Sequence, residues 1–230
     1  MFGDGRHVDV PCLLETYVSP VGNDRFGRDC WTFHHNRFAV GCVVRAGDSK
    51  STAPHVVWLC LSYLSGNPMV DGLIVFGKIV AIPFEKLDDE DLEQIRKWRN
   101  DSRVRTWMNN DTVIARDDHV RFCRSLRHRN DARYYRVDSG DRPIGVVNLS
   151  RIDRKNQSAE LGLYKIPTVD APGTGSVLME TIHRIARTMG IQTLRLQVRV
   201  ENARAFRLYE KTGYTVTGYT NTHILMERKL

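Results

Sequence analysis

The apolar positions of this chain fall into regular periods only after about residue 72. Leu73–Pro83 is apolar and β-branched and predicts a strand that Pro83 ends. Leu87–Asn100 opens with acidic residues and closes with basic ones, the order that suits a helix dipole, with Leu92, Ile95 and Trp98 on one face. A loop through Arg103–Trp107 leads to a second helix, Asp117–Arg129, with Val120, Phe122, Cys123 and Leu126 as its core side. Strands follow at Ala132–Val137 and Pro143–Ile152, joined by a turn at Asp138–Asp141, and a third at Ser158–Ile166. A helix over Val177–Met189 turns Leu178, Ile182, Ile185 and Ala186 inward. The alternating run Thr193–Val200 is a strand. Asn202 then caps a helix carrying Ala205, Leu208 and Tyr209 on one face, and Gly213 stops it. Tyr214–Gly218 and an edge strand, His223–Lys229, complete an α/β (α+β) order of elements.

Residues 1–68 show no such order. Short strands at Phe38–Arg45 and Val56–Leu64 are the only elements the pattern suggests there. The expected division is an N-terminal extension over 1–72, with Met69 as one reading of the true start, and a catalytic domain over 73–230.

Charge sharpens this division. The net charge is +7, while residues 1–68 carry equal numbers of acidic and basic side chains, so the excess belongs to the rest. A basic domain suits an acidic partner: nucleic acid, a membrane surface or a phosphorylated small molecule. No surface of interleaved aromatic and basic residues marks an RNA platform, so no nucleic acid is expected. The best apolar run, Val56–Leu64, is too short to span a bilayer, and no basic segment precedes an apolar one at the N-terminus. No membrane is expected, and the reading is cytoplasmic. The odd set of five cysteines lacks a CxxC pair. Cys30 with His34 and His35 is half of a zinc pattern without a second half, so no metal is expected.

Two stretches bear chemistry. Gly173-Thr174-Gly175-Ser176 stands between a strand and a helix, where backbone N–H groups and the helix dipole can hold an anion such as a diphosphate. About thirty residues later comes Asn-x-x-Ala-x-x-Leu-Tyr-x-Lys-x-Gly-Tyr, from Asn202 to Tyr214. Together these resemble the GNAT family of acetyl-CoA-dependent N-acetyltransferases, over roughly residues 74–230. The resemblance implies the GNAT acyl-CoA N-acyltransferase fold: a mixed, mostly antiparallel sheet, splayed at its middle and flanked by helices. It implies acetyl-CoA as cosubstrate, held by the amides of Gly173, Thr174, Gly175 and Ser176, by Asn202, and by backbone near Leu163 or Tyr164 in an oxyanion role. Asp170 precedes the loop where the family has Gln or Arg, so its side chain is expected to point away. Tyr209 becomes the acid for the leaving thiolate. Glu160 is a candidate base, with a plain surface carboxylate as the alternative. Gln197 stands where relatives carry Glu; it can orient a water or the substrate but cannot act as a base.

A third set resembles one GNAT branch, the UDP-4-amino-4,6-dideoxy-N-acetyl-β-L-altrosamine N-acetyltransferases of pseudaminic-acid biosynthesis, which serves flagellin glycosylation. It comprises Trp98-Arg99-Asn100, Val104 to Met108, His119 to Phe122, Asn148 to Asp153 and Gly162 to Pro167. The resemblance puts Arg99, Trp107, His119, Ser150, Arg151 and Tyr164 around a UDP-amino-sugar, with Gln197 beside them and His119 as another proton acceptor. It implies direct attack by the amine in a ternary complex. A GNAT acting on a protein N-terminus or a polyamine, and a non-catalytic acyl-CoA-binding module, are the alternatives. A homodimer is left open.

Overall fold

The computed structural model describes residues 72–230 and the short strands Ser19–Pro20 (β1), Trp31–Thr32 (β2) and Met69–Val70 (β3). The chain divides into two compact units, Met1–Gly66 and Asn67–Leu230. In the first, β1 pairs antiparallel with β2. The strands expected at 38–45 and 56–64, and the group of Cys30, His34 and His35, lie outside the described residues.

The second unit is built on one sheet. Its strands are β3, β4 (Leu73–Phe76), β5 (Ile79–Pro83), β6 (Arg133–Ser139), β7 (Arg142–Asp153), β8 (Ser158–Lys165), β9 (Thr193–Arg199), β10 (Thr215–Tyr219) and β11 (His223–Lys229). They lie in the order β10-β11-β9-β8-β7-β6-β5-β4-β3. Every neighbouring pair is antiparallel except β8 and β9, which are parallel. Because β3 pairs with β4, the sheet begins before the expected 72/73 boundary.

The helices are α1 (Asp89–Asn100), α2 (Ser102–Arg105), α3 (Arg116–Ser125), α4 (Thr174–Thr188) and α5 (Ala203–Lys211). Successive strand residues face opposite sides, and the two sides have separate cores. Val147, Leu149 and Leu161 face α4 and pack with Leu178, Met179, Ile182 and Ile185. Val146 faces the other way and packs with Ile95 of α1, Cys123 of α3, Phe84 and Leu126. Close approach of α4 requires Gly145: a Cβ there would stand 2.6 Å from Leu178 Cδ1 and 2.7 Å from the Tyr164 carbonyl. Asp88 caps α1 by accepting from the Asp91 N–H at 2.8 Å, which fixes the acidic first turn the pattern predicted.

Four expectations change. Leu73–Pro83 is a hairpin rather than one strand, because Gly77 takes a positive φ of 56° in a tight turn. Part of the expected loop after Arg103 is helical, as α2. On α3 the buried residues are His119 and Cys123, with Leu126 buried in the turn that follows, while Val120 and Phe122 are half-buried. His223–Lys229 is not an edge strand. It lies between β10 and β9 and pairs with β9 along its whole length, leaving β10 at the edge. Alternation of side chains does not distinguish these positions; Met226, buried at 1% exposure, settles which side is covered.

A buried polar knot fixes the end of α5. Arg228 of β11 donates to the Thr212 carbonyl and to Nδ1 of His183 at 3.3 Å. Guanidinium can only donate, so His183 carries its proton on Nε2, which donates to the Tyr214 hydroxyl at 3.0 Å. Burial, then the charges of Arg228 and Arg187, lower the His183 pKa to about 4. The ordinary value in an unfolded chain is about 6.5. Between these values the unfolded chain takes up a proton that the folded chain refuses. This contribution to stability is therefore full above about pH 6.5 and is lost as pH falls toward 4. Thermal melts should show Tm falling by several degrees between neutral pH and mild acid, with a shallower fall in His183→Gln. An equal slope in that variant would assign the acid sensitivity to other groups.

Candidate active site

Strands β8 and β9 pair for only three residues: Ser158 with Thr193, Ala159 with Leu194, and Glu160 with Arg195. Beyond that they part. β8 runs on to Lys165 bonded to β7, and β9 runs on to Arg199 bonded to β11. The gap opens a cavity of about 460 Å³ whose lining includes residues from both strands, α1, α3 and α5, within the usual range for small-molecule sites.

The backbone at the gap has a defined polarity. Ile166 N–H donates to the Ile144 carbonyl at 3.2 Å. Bonded and non-bonded pairs alternate in an antiparallel ladder. Given the register, Tyr164 and Gly162 therefore bond to β7, while Leu163 and Lys165 turn their N–H and C=O groups toward the missing stretch of β9; Leu161 N–H still belongs to the last β9 pair, Glu160 with Arg195, and only its C=O faces the gap. Of the two backbone donors considered from the sequence, Leu163 faces the gap. Tyr164 N–H is committed to β7, which corrects that part of the expectation.

On one side of the gap lies α5. Asn202 caps it by accepting from the Ala205 N–H at 3.1 Å. Tyr209 is buried and lines the cavity, its ring edge-on to Tyr214 at 6.1 Å. Burial alone pushes its phenol up to about 12. Gly173, Thr174, Gly175 and Ser176 form the entry to α4, which starts at Thr174 rather than at Val177. Gly173 has a φ of +82°, and no side chain caps the first turn. These residues are outside the cavity lining but adjoin it: a Cβ on Gly175 would stand 2.9 Å from Leu208 Cδ2, and Leu208 lines the cavity. The first-turn N–H groups thus lie beside the mouth of the gap, where they suit an anion. Asp170 has a fully exposed side chain, 3.9 Å from Lys165 Nζ.

On the other side, under α1 and α3, lie Arg99, Trp107, His119, Asn148, Ser150, Glu160, Gly162 and Tyr164. Arg99 Nη2 donates to the Asn110 carbonyl at 2.5 Å, and its Nη1 is buried without a partner. Its burial lowers the guanidinium pKa, a measure of the charge's poor hydration there. Trp107 is 44% exposed at the rim. His119 is buried against Cys123, with both ring nitrogens 3.8 Å from Sγ. Burial first, then Arg96, lowers its pKa, so the imidazole is neutral at pH 7. Tyr164's phenol is raised by burial. Gln197 of β9 is half-buried and faces this half.

Arg151 was expected at the substrate, and the structure places it elsewhere. It lies outside the lining, exposed, with a φ of +49° at the bulge in β7, and it donates to Glu160 at 2.8 Å. Regular alternation would put Arg151 on the face opposite Ser150; the bulge instead turns it to Glu160, out at the edge of the lining. Ser150 is in the lining but spends its hydroxyl on a long contact, 3.4 Å, to the Glu160 carbonyl. Asn148 and Gly162 were not predicted as site residues. The signal was a carboxamide amid the apolar run Val146-Val-Asn-Leu149 in a covered strand.

Residues 82–215 match the family described as "Acetyltransferase (GNAT) domain". The chain belongs to the GNAT acetyltransferase family. Among its GNAT relatives, "Acetyltransferase PseH" of Campylobacter jejuni subsp. jejuni serotype O:2 is 33% identical over 134 residues, which is 58% of this chain and 82% of the relative. The protein of that name from serotype O:23/36 is 31% identical over 134 residues, with the same two coverages of 58% and 82%. The crystal structure of Campylobacter jejuni N-acetyltransferase PseH in complex with acetyl coenzyme A matches with a TM-score of 0.55 at 25% identity, over 66% of this chain and 98% of that one. The spermidine N-acetyltransferase of Vibrio cholerae, solved with CoA and spermine, matches with a TM-score of 0.59 at 21% identity, over 66% and 95%; that likeness speaks to the fold alone.

This GNAT chain is an acetyl-CoA-dependent N-acetyltransferase. Its unbonded β8 N–H and C=O groups suit an amide-bearing arm, and the α4 entry suits a diphosphate. Among the described residues no helix is long and apolar enough to cross a membrane, and no cluster of three or more His, Cys, Asp or Glu could hold a metal ion.

The neutral state of His119 can be observed directly. In an NMR titration its ring signals should move below the ordinary histidine midpoint of about 6.5, because burial and Arg96 oppose the charge. A midpoint above that value would mean a charged imidazole at work.

Proposed function

We propose that this enzyme acetylates the 4-amino group of a UDP-4-amino-4,6-dideoxy sugar in the cytoplasm, the step that leads toward pseudaminic acid. The observation that carries the reading is the half-cavity under α1 and α3. It offers a buried Arg99 Nη1 without a partner, and its one lining carboxylate, Glu160, is already paired with Arg151. A desolvated guanidinium wants an anion such as a nucleotide phosphate. A polyamine or a cationic peptide wants free carboxylates, which this lining does not supply. The similarity to the PseH proteins supports the same acceptor.

In this reading acetyl-CoA supplies the thioester. Gly173, Thr174, Gly175 and Ser176 hold its diphosphate by backbone N–H groups, and Asn202 and the β8 edge flank its arm. Leu163 N–H donates to the thioester oxygen as charge grows there. Arg99 takes phosphate oxygens, Trp107 and Tyr164 face the base or sugar, and Ser150 and Gln197 orient the acceptor. The neutral amine attacks directly. Its proton passes to His119, a free base at neutral pH, or to Glu160 through water. Tyr209 donates to the departing sulfur. A raised phenol pKa keeps that proton in place until the thiolate forms, and a thiolate in the same dry site pays the same desolvation, so proton transfer stays matched.

CoA release with acetyl-CoA and a panel of amines tests the acceptor: UDP-4-amino-altrosamine, its UDP-4-amino-glucosamine-type isomer, spermidine, and a peptide starting with Ser or Ala. Turnover on the altrosamine is expected. Turnover on spermidine or the peptide alone would overturn the sugar assignment while leaving the acetyltransferase intact. Tyr209→Phe should lower kcat about 100-fold with little change in the KM for acetyl-CoA; an unchanged kcat would remove Tyr209 from proton transfer.

A further inference from the structure

On the floor of the acceptor half, Asn148 of β7 stands directly opposite Gly162 of β8. The two share the face that carries Ser150, Glu160 and Tyr164. Gly162 is not there for its backbone angles, since it lies outside the positive-φ set. It is there for space. A Cβ at Gly162 would stand 2.5 Å from Asn148 Oδ1, 3.3 Å from its Cγ and 3.4 Å from its Nδ2. The three nearest atoms all belong to Asn148. The Asn148 side chain therefore lies flat across Gly162 and reaches toward β9, at the level where the strands part after Glu160.

Three neighbours on the cavity floor have a task inside the protein. Glu160 binds Arg151, Ser150 reaches the Glu160 carbonyl, and Tyr134 packs against Phe84 and Phe122. Among the described residues the Asn148 carboxamide has no hydrogen-bond partner, and it lines the cavity. A half-covered amide that lies over Gly162 and is left unbonded is free to bond something that enters.

We propose that Asn148 binds the acceptor amine and aims it, and that Gly162 is the positioning residue that lets it do so. The inference rests on the acetyl-transfer reading but not on which amine is used. A primary amine attacks through its lone pair, so its N–H bonds must be held away from the thioester. An amide oxygen accepts one of them. The choice of a neutral amide has a physical reason. A carboxylate at the same place would favour the ammonium form, which has no lone pair to give. The carboxamide orients the amine without raising its proton affinity, while the one lining carboxylate, Glu160, is drawn toward Arg151.

The test uses the amine that the panel turns over fastest, whichever that is. Asn148→Ala should lower kcat/KM for the amine about 10- to 100-fold, the effect of one lost hydrogen bond, with KM for acetyl-CoA within about twofold. Gly162→Ala should do the same, because its methyl displaces Asn148, the far end of a flexible side chain, rather than backbone. The double variant Asn148→Ala/Gly162→Ala should be no worse than Asn148→Ala alone, since the methyl then meets open space, and its Tm should return toward the parent value. Asn148→Asp should move the acid limb of the kcat profile, which reports the bound amine, to higher pH. Losses that multiply in the double variant, or an unchanged amine kcat/KM in Asn148→Ala, would overturn the proposal. Neither result bears on the sugar assignment, which stands or falls on which amine reacts.

Discussion

Three residue pairs, from Ser158–Thr193 to Glu160–Arg195, hold the two halves of this sheet together, and almost everything functional follows from their stopping there. A parallel pair needs a crossover, and here α4 supplies it between β8 and β9. Past Glu160 each strand keeps its own antiparallel partner, β7 or β11, so neither half loses its ladder when they diverge. What is lost is one edge of each strand. The N–H and C=O groups of Leu163 and Lys165, and the Leu161 carbonyl, face a gap rather than a neighbour. Such groups are expensive to bury unpaired, so the fold holds open a site that a chain bearing amides can complete.

Burial then sets the chemistry of the two walls. His119 is kept neutral and Tyr209 is kept protonated by the same cause, removal from water. In the proposed reading a neutral His119 on one wall and a neutral Tyr209 on the other take a proton from the amine and give one to the thiolate. The charged groups of the lining include Arg99 and Glu160; Arg99 is poorly hydrated and half-unpaired, which in the proposed reading suits a ligand's negative charge. The acidic residue that could offset it, Glu160, is drawn off by Arg151 across the bulge of β7.

The wall that carries Tyr209 is held from behind. Arg228, His183 and Tyr214 join β11, α4 and the start of β10, and Arg228 also ties down the Thr212 carbonyl at the end of α5. Tyr214 meets the Tyr209 ring edge-on, so the polar knot and the phenol share a boundary. Every polar atom of the knot named here has a partner, which is what lets it sit in a core.

The elements of the second unit were legible because each has a local cause. Asp88 and Asn202 cap helices by bonds three residues long, and the period of Leu92, Ile95 and Trp98 marks a covered face whatever covers it. The spacing from Gly173 to Asn202 and Tyr209 carried the family for the same reason: these residues sit at the starts and on the faces of their own helices. What lies far along the chain was decided by tertiary structure. Alternation could not tell an edge strand from an inner one, so β11 was misplaced. It could not see the bulge that turns Arg151 out to Glu160, because one extra residue reverses which face a side chain joins. Nor could it show that the space above Gly162 is taken by Asn148, fourteen residues earlier, since that contact exists only once β7 and β8 are in register.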